Sequence, residues 1–398
     1  MTHRKLTRAV AAFAALGLVV AACGGDDDSA TPVTAAPTTT AAGGGGDGGG
    51  DALSLAAVCP SPVVFQTDWH PESEHGSLYN LIGDDYRLDT EKKTVTGTLV
   101  SQGVSLDIEV EVRAGGPAIG FQSPRTQMYS DDTIHIGYSN IDNQAQKFAE
   151  LPLISVMAPL EKNPQIIMWD TDVLPDVKTI ADLGTQNVPI RVFGLGGFSE
   201  AFIAQGIWSA EQVDPSYDGT PSIFVSESLA GNPTAQQGFA SAEPYKYENL
   251  AEYGKTPGFA LLHDGGYVAY SQTLALRPPV LEEMRDCLKL LVPIIQQASV
   301  DYMADPARAD DIIIDAVEQF DSGWTYDKDI AAFAVKTMKD LGLMGNGPDD
   351  TLGNFDLSRV QSVIDDLRAI GGLDIPDDLT AEDMVTNEFI DPSIGHSS

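Results

Sequence analysis

Between residues 63 and 193, short apolar runs alternate with stretches of helical character, and this alternation limits the possible folds more than any other feature. Val63-Val64-Phe65-Gln66-Thr67 is a short apolar run ending at Asp68-Trp69, as expected of a buried parallel strand. Residues 106–112 alternate strictly between apolar and polar, which reads as a strand with one wet face. That strand stops at Ala114-Gly115-Gly116-Pro117, a loop whose backbone can approach a neighbour closely. Residues 133–139, 153–158, 166–169 and 188–193 read as further strands, with helices around 143–149, 179–183 and 199–205. Strands alternating with helices imply an α/β fold with mainly parallel sheets. The last third is mostly helical. Residues 279–303 carry Met284, Leu288, Leu291 and Ile295 at helical spacing, with a break expected at Pro293. Helices at 310–320, 329–341 and 356–370 follow, with Asp329 and Asp356 as N-caps. This tail is expected to pack back on the first part of the fold.

The N-terminus has its own signature. His3, Arg4, Lys5 and Arg8 precede an apolar run from Ala9 to Ala22, and Val20-Ala21-Ala22-Cys23 closes it. A basic start, an apolar middle and small residues at a cut site read as a secretory signal over residues 1–22. The run, at about fourteen residues, is shorter than the roughly twenty that a bilayer span needs. Its ending resembles the lipobox of bacterial lipoproteins, with Val20 where Leu is more usual. That resemblance implies cleavage before Cys23 and acylation of its sulfur, which holds a protein at a membrane without spanning it. Residues 23–57 are rich in Gly, Asp, Thr and Ala and read as a disordered tether, leaving residues 58–398 as the body.

Charge excludes one class of partner. The chain has 58 acidic against 23 basic residues, a net charge of −35, which argues against nucleic acid or an anionic membrane surface. With Cys23 taken by lipid, Cys59 and Cys287 remain as an even pair in an oxidising compartment. They read either as a disulfide, tying the entry of the first strand to the helix at 285–295, or as two buried thiols.

Open α/β sheets bind ligands at the carboxyl ends of their strands. The residues expected there are Asp68, Trp69, Glu72 and His75, then Gly116, then Tyr138 and Ser139. Further along come Gly197 and Ser199, Glu243 and Tyr245, and Asp264. Aromatic faces with a few carboxylates suit a flat, nitrogen-rich or cationic small molecule. Taken singly, Trp69 reads as core and His75 as a structural histidine. Gly194-Leu195-Gly196-Gly197 has the wrong spacing for a dinucleotide fingerprint and reads as a helix start whose free N–H groups face a polar ligand or simply pack. Gly197-Phe198-Ser199-Glu200-Ala201 lacks the last glycine of a nucleophile elbow, and no H-E-x-x-H occurs. No cofactor and no metal are expected.

The order of segments resembles a known family. Asp68-Trp69-x-Pro71-Glu72-x-Glu74-His75-Gly76-x-Leu78-Tyr79 is similar to the opening motif of the thiamine-precursor and SsuA-like alkanesulfonate/nitrate solute-binding proteins. Asp107–Val110 with Gly115-Gly116-Pro117 looks like their second strand and ligand-side loop, and Leu151–Val156 through Lys162–Gln165 like the passage into their second lobe. Val177–Gly184 resembles their recurrent Asp-Leu helix start, and Ala242-Glu243-Pro244-Tyr245 their acidic-Pro-aromatic segment. The resemblance implies a type II periplasmic-binding-protein fold: lobe one from 58–160 and 272–398 with a helical C-terminal extension, lobe two from 161–271, and hinges near 161–165 and 267–272. In the family, the positions matching Asp68, Trp69, His75, Tyr79 and Glu243 contribute to the cleft. It further implies a monomer anchored outside the cytoplasmic membrane, binding without bond chemistry and delivering a solute to an ABC permease. An amino-substituted heteroaromatic such as a pyrimidine precursor is the expected solute, with a sulfonate or nitrate as the alternative. An envelope hydrolase using Asp68 or Glu243 as base, and a scaffold lipoprotein with no ligand, are the rival classes. Residues 84–103 stand outside the family pattern and read as an inserted hairpin.

Overall fold

Apolar on both faces, Val63–Gln66 forms strand β1 and is buried along its whole length. The computed structural model describes residues 54–194 and 197–397; the signal segment, Cys23 and the tether up to residue 53 lie outside the described residues. A helical turn α1 (Leu55–Val58) precedes β1, three residues upstream of where the sequence places the start of the body. Just after it, Cys59 is disulfide-bonded to Cys287.

The chain continues from β1 through a tight turn at Ser73–His75 into α2 (Gly76–Tyr79). The inserted segment then supplies two strands, β2 (Arg87–Asp89) and β3 (Thr94–Ser101). β3 pairs antiparallel with β4 (Val104–Arg113), so the insertion extends the sheet instead of standing off it as a separate hairpin. Next come α3 (Pro124–Ser130), β5 (Ile136–Ser139), α4 (Ile141–Gln146) and β6 (Ile154–Met157).

A first crossover leads to β7 (Gln165–Trp169) in a second sheet. There follow α5 (Ile180–Thr185), β8 (Ile190–Arg191), α6 (Gly197–Ala204), β9 (Val213–Asp214) and α7 (Ser222–Ala230). β10 (Ala235–Phe239), α8 (Glu243–Glu248) and β11 (Gly258–Leu261) complete this part. Thr179 starts α5 with a capping box to Asp182. A second crossover returns to the first sheet at β12 (Thr273–Leu276).

Both sheets use one strand order. The first runs β2-β3-β4-β1-β5-β12-β6, with β4, β1 and β5 parallel and β12 antiparallel to both neighbours. The second runs β11-β7-β10-β8-β9, with β7 antiparallel to β10 and β11. Apart from the inserted β2 and β3, each sheet therefore reads second, first, third, incoming strand, fourth. The incoming strand is the one that has just crossed from the other sheet.

The remaining helices are α9 (Pro278–Glu283), α10 (Arg285–Ala304), α11 (Ala307–Phe320), α12 (Lys328–Leu341), α13 (Leu357–Ile370) and α14 (Ala381–Met384). α10 runs unbroken through Pro293; the break falls at Met284 instead. The proline frees only the carbonyl of Lys289, which is exposed and open to water, while buried Leu291, Val292 and Ile295 hold the helix in register. Asp327, not Asp329, caps α12, accepting the amides of Asp329 and Ile330; Asp356 caps α13 as expected.

The tail does not pack on the first sheet alone. α10 and α11 lie on α2, but α12 touches both the Ser73–His75 turn and α8, and α13 touches both α4 and α6. The apolar stripe of α13 (Val360, Val363, Ile364, Leu367) is fully covered and shares one core with Ile141, Phe198 and Phe202. Burying each such side chain contributes about 1.5–3 kcal/mol, so both sheets are joined through this extension.

Candidate functional site

The first sheet delivers Asp68 to the end of β1, where two partners hold its carboxylate. His75 Nε2 lies 3.0 Å from Asp68 Oδ1, and Gln272 Nε2 donates to both oxygens at 3.1 and 3.2 Å. His75 is fully buried, and its ring packs against Tyr138 at 5.3 Å between centroids. Glu72 Oε1 is 3.9 Å from the same His75 nitrogen. Around this core, among the described residues, four buried polar atoms have no protein partner: His75 Nδ1, Tyr79 Oη, Tyr138 Oη and Gln272 Oε1. Orphaned groups of this kind call for a ligand or water, since an unmet buried group costs about 1–3 kcal/mol.

The second sheet approaches through β10. The Ser241 hydroxyl donates to the Glu74 carboxylate of the first sheet's turn. Glu243, at the start of α8, accepts the Phe239 amide at 2.6 Å. Three glutamates act electrostatically on one cation, Lys246, though none forms an ion pair with it among the described residues. Burial pushes the Glu72 carboxyl well up, with Glu74 and then Asp68 adding to it. Burial likewise raises Glu74, against the Ser241 hydrogen bond, and raises Glu243, against Lys246. Burial lowers Lys246, and the glutamates oppose that shift. The cluster is short of positive charge.

Aromatic walls close the outer side. The Lys246 ammonium lies 3.3 Å from the ring centroid of Trp324, which stacks on His70 at 4.9 Å and 4°. Trp69 meets both rings edge-on. His70 is pushed down to about 4, chiefly by burial and then by Lys246. A cavity of about 350 Å³ opens beside Lys246, lined by Glu243, Tyr245, Trp324 and Asp327 among others.

Asp68, Glu72, His75, Tyr79, Tyr138 and Glu243 are therefore brought into one polar cluster, with Trp69 at its edge. Gly116 (φ +56°) lies against the Trp69 ring, where an added Cβ would come within 3.0 Å, so its close approach is to that side chain. Ser139 instead faces Arg125, a buried guanidinium whose Nη2 donates to the serine hydroxyl at 3.4 Å. Gly197 borders a separate contact, Tyr267 Oη donating to Asp142 Oδ2 at 2.6 Å, and Ser199 is buried in α6. Asp264 is exposed on the turn after β11, 3.9 Å from Lys162 Nζ, away from the cluster. Tyr245 packs on Phe333 and reaches the site only as a cavity wall.

Sequence reasoning missed Glu74, Ser241, Lys246, Gln272 and Trp324 as site members. Lys246 carries a local signal, standing one helical turn after Glu243. Trp324 carries none, because it arrives from a loop of the C-terminal extension. Among the described residues no group of three or more His, Cys, Asp or Glu is placed to hold a metal ion, and no helix is long and apolar enough to cross a membrane.

No known family and no curated protein matches the sequence. Solved structures do. A Bordetella bronchiseptica protein is 15% identical at a TM-score of 0.50, covering 83% of this chain and 96% of its own. The ligand-binding component of an ABC-type import system from Staphylococcus aureus, solved with zinc bound, is 12% identical at 0.51, covering 84% and 99%. The alkanesulfonate-binding protein SsuA from Xanthomonas axonopodis, bound to MOPS, is 12% identical at 0.47, covering 82% and 99%. Identity this low carries the fold and nothing further.

Proposed function

We propose that this chain, which has the type II periplasmic-binding-protein fold, is the extracytoplasmic solute-binding component of an ABC importer. On this reading acylated Cys23 anchors it to the membrane, the stretch between Cys23 and α1 is its tether, and a monomeric body hands its solute to a permease. The two crossovers, at residues 158–164 and 262–272, are the segments about which the sheets would close. No bond is made or broken.

One observation carries the choice of solute: the buried, orphaned polar atoms beside Asp68 lie near three carboxylates, Glu72, Glu74 and Glu243, that act together on one lysine. Such a site gains by admitting a flat molecule bearing amino or cationic N–H groups, which the carboxylates accept while Trp69 and Trp324 cover its faces. A sulfonate or nitrate is the second reading, favoured by Arg125, a buried guanidinium with one 3.4 Å hydrogen bond among the described residues.

Calorimetric titration of the body with aminopyrimidines, sulfonates and nitrate tests the proposal, with each compound recovered afterwards. Saturable binding of an amino-heteroaromatic, recovered unchanged, is the expected result; turnover would make the protein an enzyme. Glu243→Ala should weaken that binding by about 1.5–3 kcal/mol, the worth of a charge-assisted hydrogen bond. An unchanged affinity in this variant would remove Glu243 from the site.

A further inference from the structure

We propose that the cavity beside α8 is an organic-cation subsite in which Lys246 acts as a placeholder, its ammonium lying on the Trp324 face until an aromatic cation displaces it. The inference rests on the reading of the cleft as a solute site and adds the chemistry of one end of that solute. Three independent features point to it. First, the Lys246 ammonium is 3.3 Å from the Trp324 ring centroid and is acted on by Glu243, Glu72 and Glu74, which is the surrounding that selects an organic cation. Second, the ring beneath it is fixed, because His70 stacks on Trp324 and is itself bonded to Ser322 Oγ at 3.0 Å. Third, the space of about 350 Å³ beside Lys246 gives both an entering ring and the displaced lysine somewhere to go.

The cluster holds its lysine weakly. Among the described residues no carboxylate forms an ion pair with its ammonium, and burial disfavours the charge there. Lysine is a flexible stem bearing a point charge, so it can swing into the cavity or to solvent while the carboxylates stay in place. A solute cation exchanging for it leaves the charge balance unaltered. An anion would be treated oppositely: it would need Lys246 as its counter-charge.

The experiment measures binding of 4-aminopyridinium and of benzenesulfonate to the wild-type body and to Lys246→Met, Lys246→Gln and Trp324→Ala. Circular dichroism confirms that each variant is folded. Removing the placeholder should tighten 4-aminopyridinium binding by about tenfold in both lysine variants, and removing the indole should weaken it by a similar factor. Equal or weaker binding of the cation by both folded lysine variants would overturn the inference, as would no binding by any variant at millimolar concentration. Benzenesulfonate bound by the wild type and lost in Lys246→Met would overturn the cation subsite while leaving the importer reading intact.

Discussion

The two sheets share a strand order but present opposite kinds of surface where they meet. At the end of β1 a buried polar cluster gathers, Asp68 bonded to His75 and to Gln272, with His75 Nδ1 and Gln272 Oε1 left without a partner among the described residues. At the end of β10 the second sheet contributes a short helix start, Glu243 to Lys246, and relies on a loop from the C-terminal extension for its wall. One side is a buried polar cluster with unmet atoms and the other a cavity walled by aromatic rings. Repetition of a fold therefore does not repeat its chemistry; the extension makes the difference.

The largest expected effect comes from cutting the link that sets one sheet against the other. Arg359 of α13 grips both crossovers, donating to Glu161 Oε1 at 2.8 Å, to Glu161 O at 2.9 Å and to Val268 O at 2.6 Å. Its guanidinium also lies 3.6 Å from the Tyr270 ring centroid. Arg359→Ala leaves a half-buried carboxylate unpaired and should cost about 3–5 kcal/mol in urea denaturation. Scattering of the solute-free variant should also show a wider range of sheet-to-sheet arrangements. A loss below about 1 kcal/mol, the worth of an exposed pair, would mean that the sheets are positioned without it.

A middle-sized effect should separate the polar core from two histidines outside it, His70 and His263. Burial raises Glu72 and Glu74 above 4.5, so the folded state keeps protons that the unfolded chain has released. Stability from these groups falls as pH rises from 4.5 through their folded values. His70 and His263 are lowered from 6.5 to about 4, mainly by burial, so their contribution is lost as pH drops from 6.5 toward 4. The two slopes oppose each other in the overlap. Glu72→Gln removes part of the first, so the variant should be more stable than wild type above pH 6.5 and should keep the histidine slope below it. Urea midpoints across this range check it; a variant less stable than wild type at neutral pH would show that the Glu72 charge is satisfied.

The smallest effect concerns the borrowed wall. Asp327 caps α12 and follows directly on the loop that carries Trp324. Asp327→Ala should cost about 1 kcal/mol of stability. If the cap also steadies the loop, Trp324 fluorescence should broaden while the Asp68–His75 side is unaffected.

Much of the fold could be read from apolar runs. β1, β4, β6 and β7 fall where the sequence places them, because burial on one or both faces writes itself into two-residue or continuous patterns. Pro293 misled, since a local rule was outvoted by the buried residues on either side of it. Asp327 and Asp329 are equally good caps by residue type, and only geometry chooses Asp327. For the site, the strand-end residues Asp68, Glu72 and His75 were legible by topology. Trp324 and Gln272 were not, since each reaches the cluster across more than half the chain and no local pattern announces a distant partner.

The disulfide decides where a pull on the body is felt. Force arriving through the residues before Leu55 meets Cys59 four residues before β1 begins, and the covalent bridge passes it to Cys287 in α10. α10 is a twenty-residue helix whose buried side chains belong to the main core. Load is thus shared across the middle of the molecule and bypasses the edge of β1, so a pull at Leu55 tugs on the whole body without peeling away the strand that ends in Asp68.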